Sequence, residues 1–256
     1  DGLNEVFGVG PARQPGNAVF KGIKELKPGN YLTCSKYGVI SKEYWRLESR
    51  YHEDSYERTI EKTKYLLEDA VVRQMVSDDE VPICTFLSGG IDSSLVSSIC
   101  AAKLKEEGKR LSTYSFDFTG NEKYFKANSF QPSQDAPYAK KMVDYLGTEH
   151  KILNCDYEIQ ANLLYESIDS HDLPCMADID SSLIFFCREV SKKHKVVLTG
   201  ECADEIFGGY PWFHREKFLK CNTFPWTPDL SPRKQLMKPD VLEVLNMDEY
   251  VKKAYE

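Results

Sequence analysis

Seven residues, Ser88-Gly-Gly-Ile-Asp-Ser-Ser94, carry the groups needed to hold a polyphosphate. The two glycines free the backbone to turn so that its N–H groups can converge on an anion. Ser88, Ser93 and Ser94 add hydroxyl donors. Asp92 brings a hard oxygen ligand, which suits phosphate only if a divalent cation bridges the two. Before the turn, Val81–Leu87 has the length and apolar, β-branched make-up of a buried strand. After it, Leu95, Val96, Ile99 and Ala102 recur three and four apart, as on a helix face. A strand, a glycine turn and a helix start direct N–H groups and the positive end of the helix dipole at whatever occupies the turn. No lysine follows the glycines, so the turn is not a Walker loop. A plain chain reversal would need only the glycines; the serines and the aspartate are what point to phosphate.

A second stretch, Thr199-Gly-Glu-Cys-Ala-Asp-Glu-Ile-Phe-Gly-Gly-Tyr210, repeats the logic behind the apolar run Val196-Val-Leu198. Glu201, Asp204 and Glu205 place three carboxylates within five residues. If a helical turn begins at Glu201, Asp204 lies one turn on along the same face. Asp92 and Asp204 then form a pair of magnesium ligands beside a triphosphate. The plainer alternative is that these acids decorate an exposed helix start, where they favour the dipole.

The elements between these motifs alternate. Strands are expected over 81–87, 111–118, 149–153 and 195–199. Helices are expected over 55–77, from Asp92 to about 107, over 135–146 with Asp135 as cap, and over 157–169, 180–193 and 247–256. Asp180 is a candidate cap for the fifth of these helices. Loops fall at 119–134 and 171–179. Strands alternating with helices mean βαβ units, hence a doubly wound parallel α/β sheet of Rossmann-like type. Ligands in such sheets sit at the carboxyl ends of the strands, so the two turns should share one crevice. Residues 1–50 differ, with short strand candidates at Val6–Val9, Ala18–Phe20, Tyr31-Leu32 and Tyr37–Ile40 between Gly and Pro turns, a small β-rich remnant.

Bulk properties narrow the class. With 256 residues, 41% hydrophobic and 29% charged, the chain can bury a real core. A net charge of −7 argues against an extended nucleic-acid footprint. No apolar run is long enough for a bilayer, and the N-terminus has no signal-peptide pattern. The eight cysteines form no C-x-x-C pair, which disfavours zinc, and read as free thiols of a cytoplasmic protein, with Cys84 and Cys100 as small buried hydrophobes.

The two motifs together resemble the synthetase domain of glutamine-dependent asparagine synthetase, a member of the ATP pyrophosphatases. The Ser88–Ser94 turn alone is similar to loops of GMP synthetases, NAD synthetases and tRNA-thiolating enzymes. The Thr199–Tyr210 stretch matches the asparagine-synthetase segment almost throughout, with Cys202 where a glycine is usual. Asp1–Ala12 and Phe20–Gly29 are similar to the last strands of that family's glutaminase domain. The resemblance implies an adenine nucleotide alpha-hydrolase-like fold, with residues 1–50 as the glutaminase tail and 51–256 as a synthetase domain shortened at its C-terminus. It implies a ligase in which aspartate, MgATP and ammonia from glutamine yield asparagine, AMP and pyrophosphate through an aspartyl-adenylate.

By the same resemblance, ATP and pyrophosphate contacts map to Leu87, Ser88, Gly89, Gly90, Asp92, Ser93, Ser94, Phe118, Thr199 and Gly200. Mg2+ ligands map to Asp92 and Asp204, and the catalytic set to Glu201, Asp204 and Asp92. Partners are small molecules, with neither nucleic acid nor membrane; a homodimer is left open. Three departures bear on this. The glutaminase half with its cysteine nucleophile would precede Asp1, and the family's catalytic lysine would follow Glu256. The segment Asp172–Ser182 carries Asp178 and Asp180 where the family has an arginine and threonines, odd for a site that attracts aspartate. The alternatives are a related ligase adenylating another carboxylate, as β-lactam synthetases do, or an ATP-binding fragment without full activity. A tRNA-modifying enzyme would want a basic surface and paired cysteines.

Overall fold

The computed structural model describes residues 1–78, 81–128, 131–174 and 176–256. They form two compact units, Asp1–His52 with Gly208–Glu256, and Glu53–Phe207.

In the first unit an antiparallel hairpin pairs β1 (Asn30–Ser35) with β2 (Gly38–Glu43). The expected strand at Val6–Val9 is helical instead: Gly2–Asn4 starts an α turn that widens to a π-type turn over Glu5–Val9. Distant partners impose this shape. Buried Glu5 accepts from the Tyr250 hydroxyl, the Gln14 N–H and the Asn17 amide. The Arg233 guanidinium donates to the carbonyls of Phe7, Gly8 and Gly10, which a helix end leaves without partners. Phe7 packs against a core cluster of Leu230, Leu245, Met247 and Val251. Ala18–Phe20, the other expected strand there, is irregular.

The second unit is a parallel sheet of β3 (Cys84–Phe86), β4 (Ser112–Phe118), β5 (Glu149–Cys155) and β6 (Val197–Leu198), in the order β5-β4-β3-β6. The chain runs outward from β3 to β5, then returns to the far side of β3 as β6. The order therefore reverses between β3 and β6, the switch point where doubly wound sheets bind ligands. β3 is buried on both sides, and its residues alternate between two cores. Cys84 and Phe86 face a cluster of Tyr114, Leu153, Phe186 and Val190. Ile83 and Thr85 face the opposite way, Ile83 onto Cys100, Leu104 and Leu111.

The longer helices beside the sheet, among the described residues, are α1 (Tyr56–Gln74), α2 (Ile91–Glu106), α3 (Ala136–Leu146), α4 (Tyr157–His171) and α5 (Ala177–Ser191). Val190 and Phe186 of α5 serve the first core, Cys100 and Leu104 of α2 the second, so helices cover both faces. Thr85 Oγ1 and Ser97 Oγ, 2.8 Å apart, tie β3 to α2. Side-chain caps start α1, where Ser55 accepts from the Arg58 N–H, and α4, where Asp156 accepts from the Ile159 N–H. Gly147, at φ +67°, closes α3 where its sequence pattern ends.

Three local expectations are corrected. Asp135 precedes α3 but caps nothing: its backbone is already helical, so its carboxylate is not poised over the first-turn N–H groups. Helix α5 begins at Ala177, leaving Asp180 inside its first turn, where the carboxylate accepts from the Met176 N–H at 2.6 Å. A short helix, Asn121–Tyr124, interrupts the expected loop 119–134, of which residues 129 and 130 lie outside the described residues, as does Cys175. The thiols of Cys84 and Cys100 are inert packing groups, each pushed up to about 12 by burial.

Phe186 is 2% exposed and stacks on Phe116 with ring centroids 4.0 Å apart. Phe186→Ala is expected to lower stability by about 3–5 kcal/mol, read as a reduced urea midpoint at unchanged slope.

Candidate functional site

Leu87 sets the height at which the chain leaves β3. It is fully buried, its N–H donates to the Tyr114 carbonyl at 2.8 Å, and its own carbonyl accepts from the Ser115 hydroxyl. It therefore supports the turn from below and offers no side-chain surface to a ligand.

The turn above is shaped by contact. Gly89 has φ +88°, and a Cβ there would lie 2.3 Å from the Ala139 nitrogen and 2.6 Å from the Tyr138 carbonyl carbon. Only glycine can press the turn this closely onto the start of α3. Ser88 and Ser93 brace it internally: their hydroxyls are 2.9 Å apart, the Ser88 N–H donates to Ser93 Oγ, and the Gly90 N–H donates to Ser88 Oγ. Ser94 differs. Its hydroxyl is buried and has no hydrogen-bond partner among the described residues. Gly90 caps α2 without a side chain, which leaves the first-turn N–H groups and the dipole for an anion.

The second turn closes against the first. At Gly200 a Cβ would meet the Asp92 carbonyl carbon, Asp92 Cβ and the Ser93 nitrogen, each at 2.8 Å. Two motifs more than a hundred residues apart thus touch backbone to backbone. The Glu201 N–H reaches Thr199 Oγ1 at 3.4 Å. Cys202 stands at φ +69°, in the left-handed region, which accounts for the glycine usual at this position in the resembled segment. Helix α6 (Ala203–Phe207) begins only after it, so exposed Glu201 lies in the turn, and the expected helical start at Glu201 is corrected.

Asp204 is brought to the first turn by another route. Burial holds the Asp92 carboxyl above the usual carboxylate range, and the charge of Asp204 adds to the rise. The two carboxylates are near enough for one charge to act on the other, and among the described residues neither forms a salt bridge. No group of three or more His, Cys, Asp or Glu side chains gathers among the described residues, so a cation would take its other ligands from elsewhere. The orphaned Ser94 hydroxyl, the uncapped α2 N–H groups and this carboxylate pair fit a phosphate chain with one divalent cation.

Phe118 stands one strand over, at the carboxyl end of β4, 40% exposed and edge-on to Phe186 at 6.0 Å. Asp178 and Asp180 are engaged at the start of α5: the Asp178 carbonyl accepts from the Gln160 amide, and Asp180 binds the Met176 N–H. Asp180 is therefore a first-turn residue that holds the backbone before α5, not the cap expected of it. Asp117, beside Phe118, belongs to no motif; its signal in the sequence is an acid at the carboxyl end of a strand.

The fold and the joined turns define an α/β protein with two glycine turns meeting at the switch point of its parallel sheet. The asparagine synthase family model matches residues 62–256, and the chain belongs to that family. It is 48% identical over all 256 residues to glutamine-hydrolyzing asparagine synthetase 3 of Bacillus subtilis (strain 168), covering 41% of that protein. It is 30% identical over 204 residues, 73% of this chain and 31% of the relative, to glutamine-hydrolyzing asparagine synthetase 2 of Oryza sativa subsp. japonica. Amidase chyE of Penicillium rubens is 29% identical over 238 residues, 89% of this chain and 34% of that protein. The chain spans less than half the length of each of these relatives.

Relieving the left-handed strain, Cys202→Gly is expected to raise stability by about 0.5–1 kcal/mol, measured by chemical denaturation. A carboxyl held higher in the folded than in the unfolded state costs stability as pH rises from its ordinary value through the raised one. In metal-free buffer, Asp204→Asn is therefore expected to move the Asp92 midpoint down by removing the smaller of its two causes. Carboxyl NMR titration of Asp92 checks this, and an unmoved midpoint refutes the coupling.

Proposed function

We propose that this chain carries the adenylating centre of a glutamine-dependent asparagine synthetase. The aspartate carboxylate attacks the α-phosphorus of ATP, pyrophosphate leaves, and ammonia derived from glutamine displaces AMP from the aspartyl-adenylate to give asparagine. The observation that carries the reading is the junction itself, where Gly200 lies against Asp92 and Ser93 while Asp204 acts on Asp92.

The roles follow from the groups present. The N–H groups at the start of α2, with the Ser94 hydroxyl, receive the departing pyrophosphate. Ser88 and Ser93 keep Gly89 and Gly90 in the shape that aims those donors. Asp92 and Asp204 would hold Mg2+, which when bound supplies positive charge against the leaving group. Thr199, Gly200 and Phe118 flank the nucleotide, and Leu87 fixes the turn beneath it. Glu201, exposed on the second turn, orients ammonia or accepts its proton. Most of the barrier reduction asked of such a site comes from alignment and charge neutralisation. On this reading residues 1–50 end a glutaminase domain and 51–256 form the synthetase part of a cytoplasmic enzyme. The 48% identity to an asparagine synthetase supports it.

Aspartate is expected to stimulate pyrophosphate release by the full-length protein above a panel of other carboxylates; release indifferent to aspartate would sink the assignment. Asp92→Asn and Asp204→Asn should each weaken Mg2+-dependent ATP binding by about tenfold or more, the loss of one charge-assisted contact. Calorimetry giving wild-type affinity in both variants would remove the metal role.

A further inference from the structure

The carboxyl end of β4 holds a group that none of these roles uses. Strand alternation sorts its side chains into two sets. Phe116 and Phe118 face α5, with rings 4.0 and 6.0 Å from that of Phe186. Ser115 and Asp117 face the opposite side, the side of α2, where Thr85 meets Ser97. Ser115 fixes the register, since its hydroxyl donates to the carbonyl of Leu87, the residue before the phosphate turn. Asp117 lies two positions further along that face, about 7 Å toward the level of the turn.

The carboxylate of Asp117 is held in place. Its Oδ1 accepts from the Phe118 N–H and the Asn121 amide, both at 2.8 Å. Its Oδ2 has no hydrogen bond among the described residues, and the residue is half-buried. A fixed carboxylate only accepts, so it selects a ligand that presents donors. Where phosphates sit at the end of one parallel strand, the sugar falls beside the end of the neighbouring strand, and its vicinal hydroxyls are such donors.

We propose that Asp117 binds the ribose hydroxyls of the nucleotide whose phosphates occupy the Ser88–Ser94 turn. The assignment rests on the nucleotide reading above and adds to it a residue that selects ribonucleotides. The carboxylate contributes no chemistry to the reaction; it fixes the sugar, and through the sugar the α-phosphorus.

Calorimetry on the whole chain with Mg2+ and ATP, 2′,3′-dideoxy-ATP or pyrophosphate tests it. Wild type is expected to bind ATP about tenfold more tightly than the dideoxy nucleotide, the effect of a charge-assisted hydrogen bond. Asp117→Ala should weaken ATP by about the same factor and leave dideoxy-ATP and pyrophosphate unchanged. Asp117→Asn keeps an acceptor for Phe118 and Asn121, so it should keep the melting temperature of wild type while losing most of the discrimination. Asn121→Ala loosens the same loop but leaves the carboxylate, so it should retain the ratio. Full discrimination in Asp117→Ala, or equal binding of the two nucleotides by wild type, overturns the ribose assignment while pyrophosphate binding keeps the nucleotide reading intact. A wild type that binds neither ATP nor pyrophosphate overturns both.

Discussion

The parallel pairing of β3 between β4 and β6 is the constraint on which the rest of the structure depends. β3 contributes only three residues to the sheet, and Cys84 and Thr85 have no exposed surface. So short a strand cannot hold its position by its own ladder; two cores and the Thr85–Ser97 bond clamp it from either face. Because β4 and β6 lie on opposite sides of it, the turns after β3 and β6 emerge side by side. The switch in strand order thus converts two local motifs into one site.

Charge at that site is arranged to be incomplete. Asp92 is held partly out of water beside another carboxylate, a combination that raises its proton affinity and that only a cation or a proton can relieve. The serines divide the work differently. Ser88 and Ser93 spend their hydroxyls on each other and on the backbone, making a rigid turn, whereas Ser94 keeps an unmet donor. The first pair thus fixes the shape of the turn, while the third hydroxyl stays unpartnered within it.

The parts of this arrangement that follow from local chemistry were legible in the sequence. An apolar run, two glycines and a three-four periodicity identify β3, its turn and α2, and Val196-Val-Leu198 marks β6 although only two of its residues pair. Long-range effects were not legible. Val6–Val9 looks strand-forming until Tyr250 claims the neighbouring Glu5 carboxylate and Arg233 the carbonyls of Phe7, Gly8 and Gly10. Gly200 suggests room for a ligand, but the atoms that forbid a side chain there are those of Asp92 and Ser93. Asp135 has the identity of a cap and the wrong backbone angles to act as one. Asp117 belongs to no motif, and its nearness to the first turn follows only from the pairing of β4 with β3.

The close approach at Gly200 also governs how such a site can diverge. With no space for even a methyl group between the two turns, neither can drift in sequence without displacing the other, so the junction behaves as a fixed pivot. Variation has to collect at its margins, in the end of β4, in the start of α5 and in the exposed face of the second turn. Those margins are bounded by side chains and solvent, not by a second backbone, so they can accept substitutions while the junction keeps its shape.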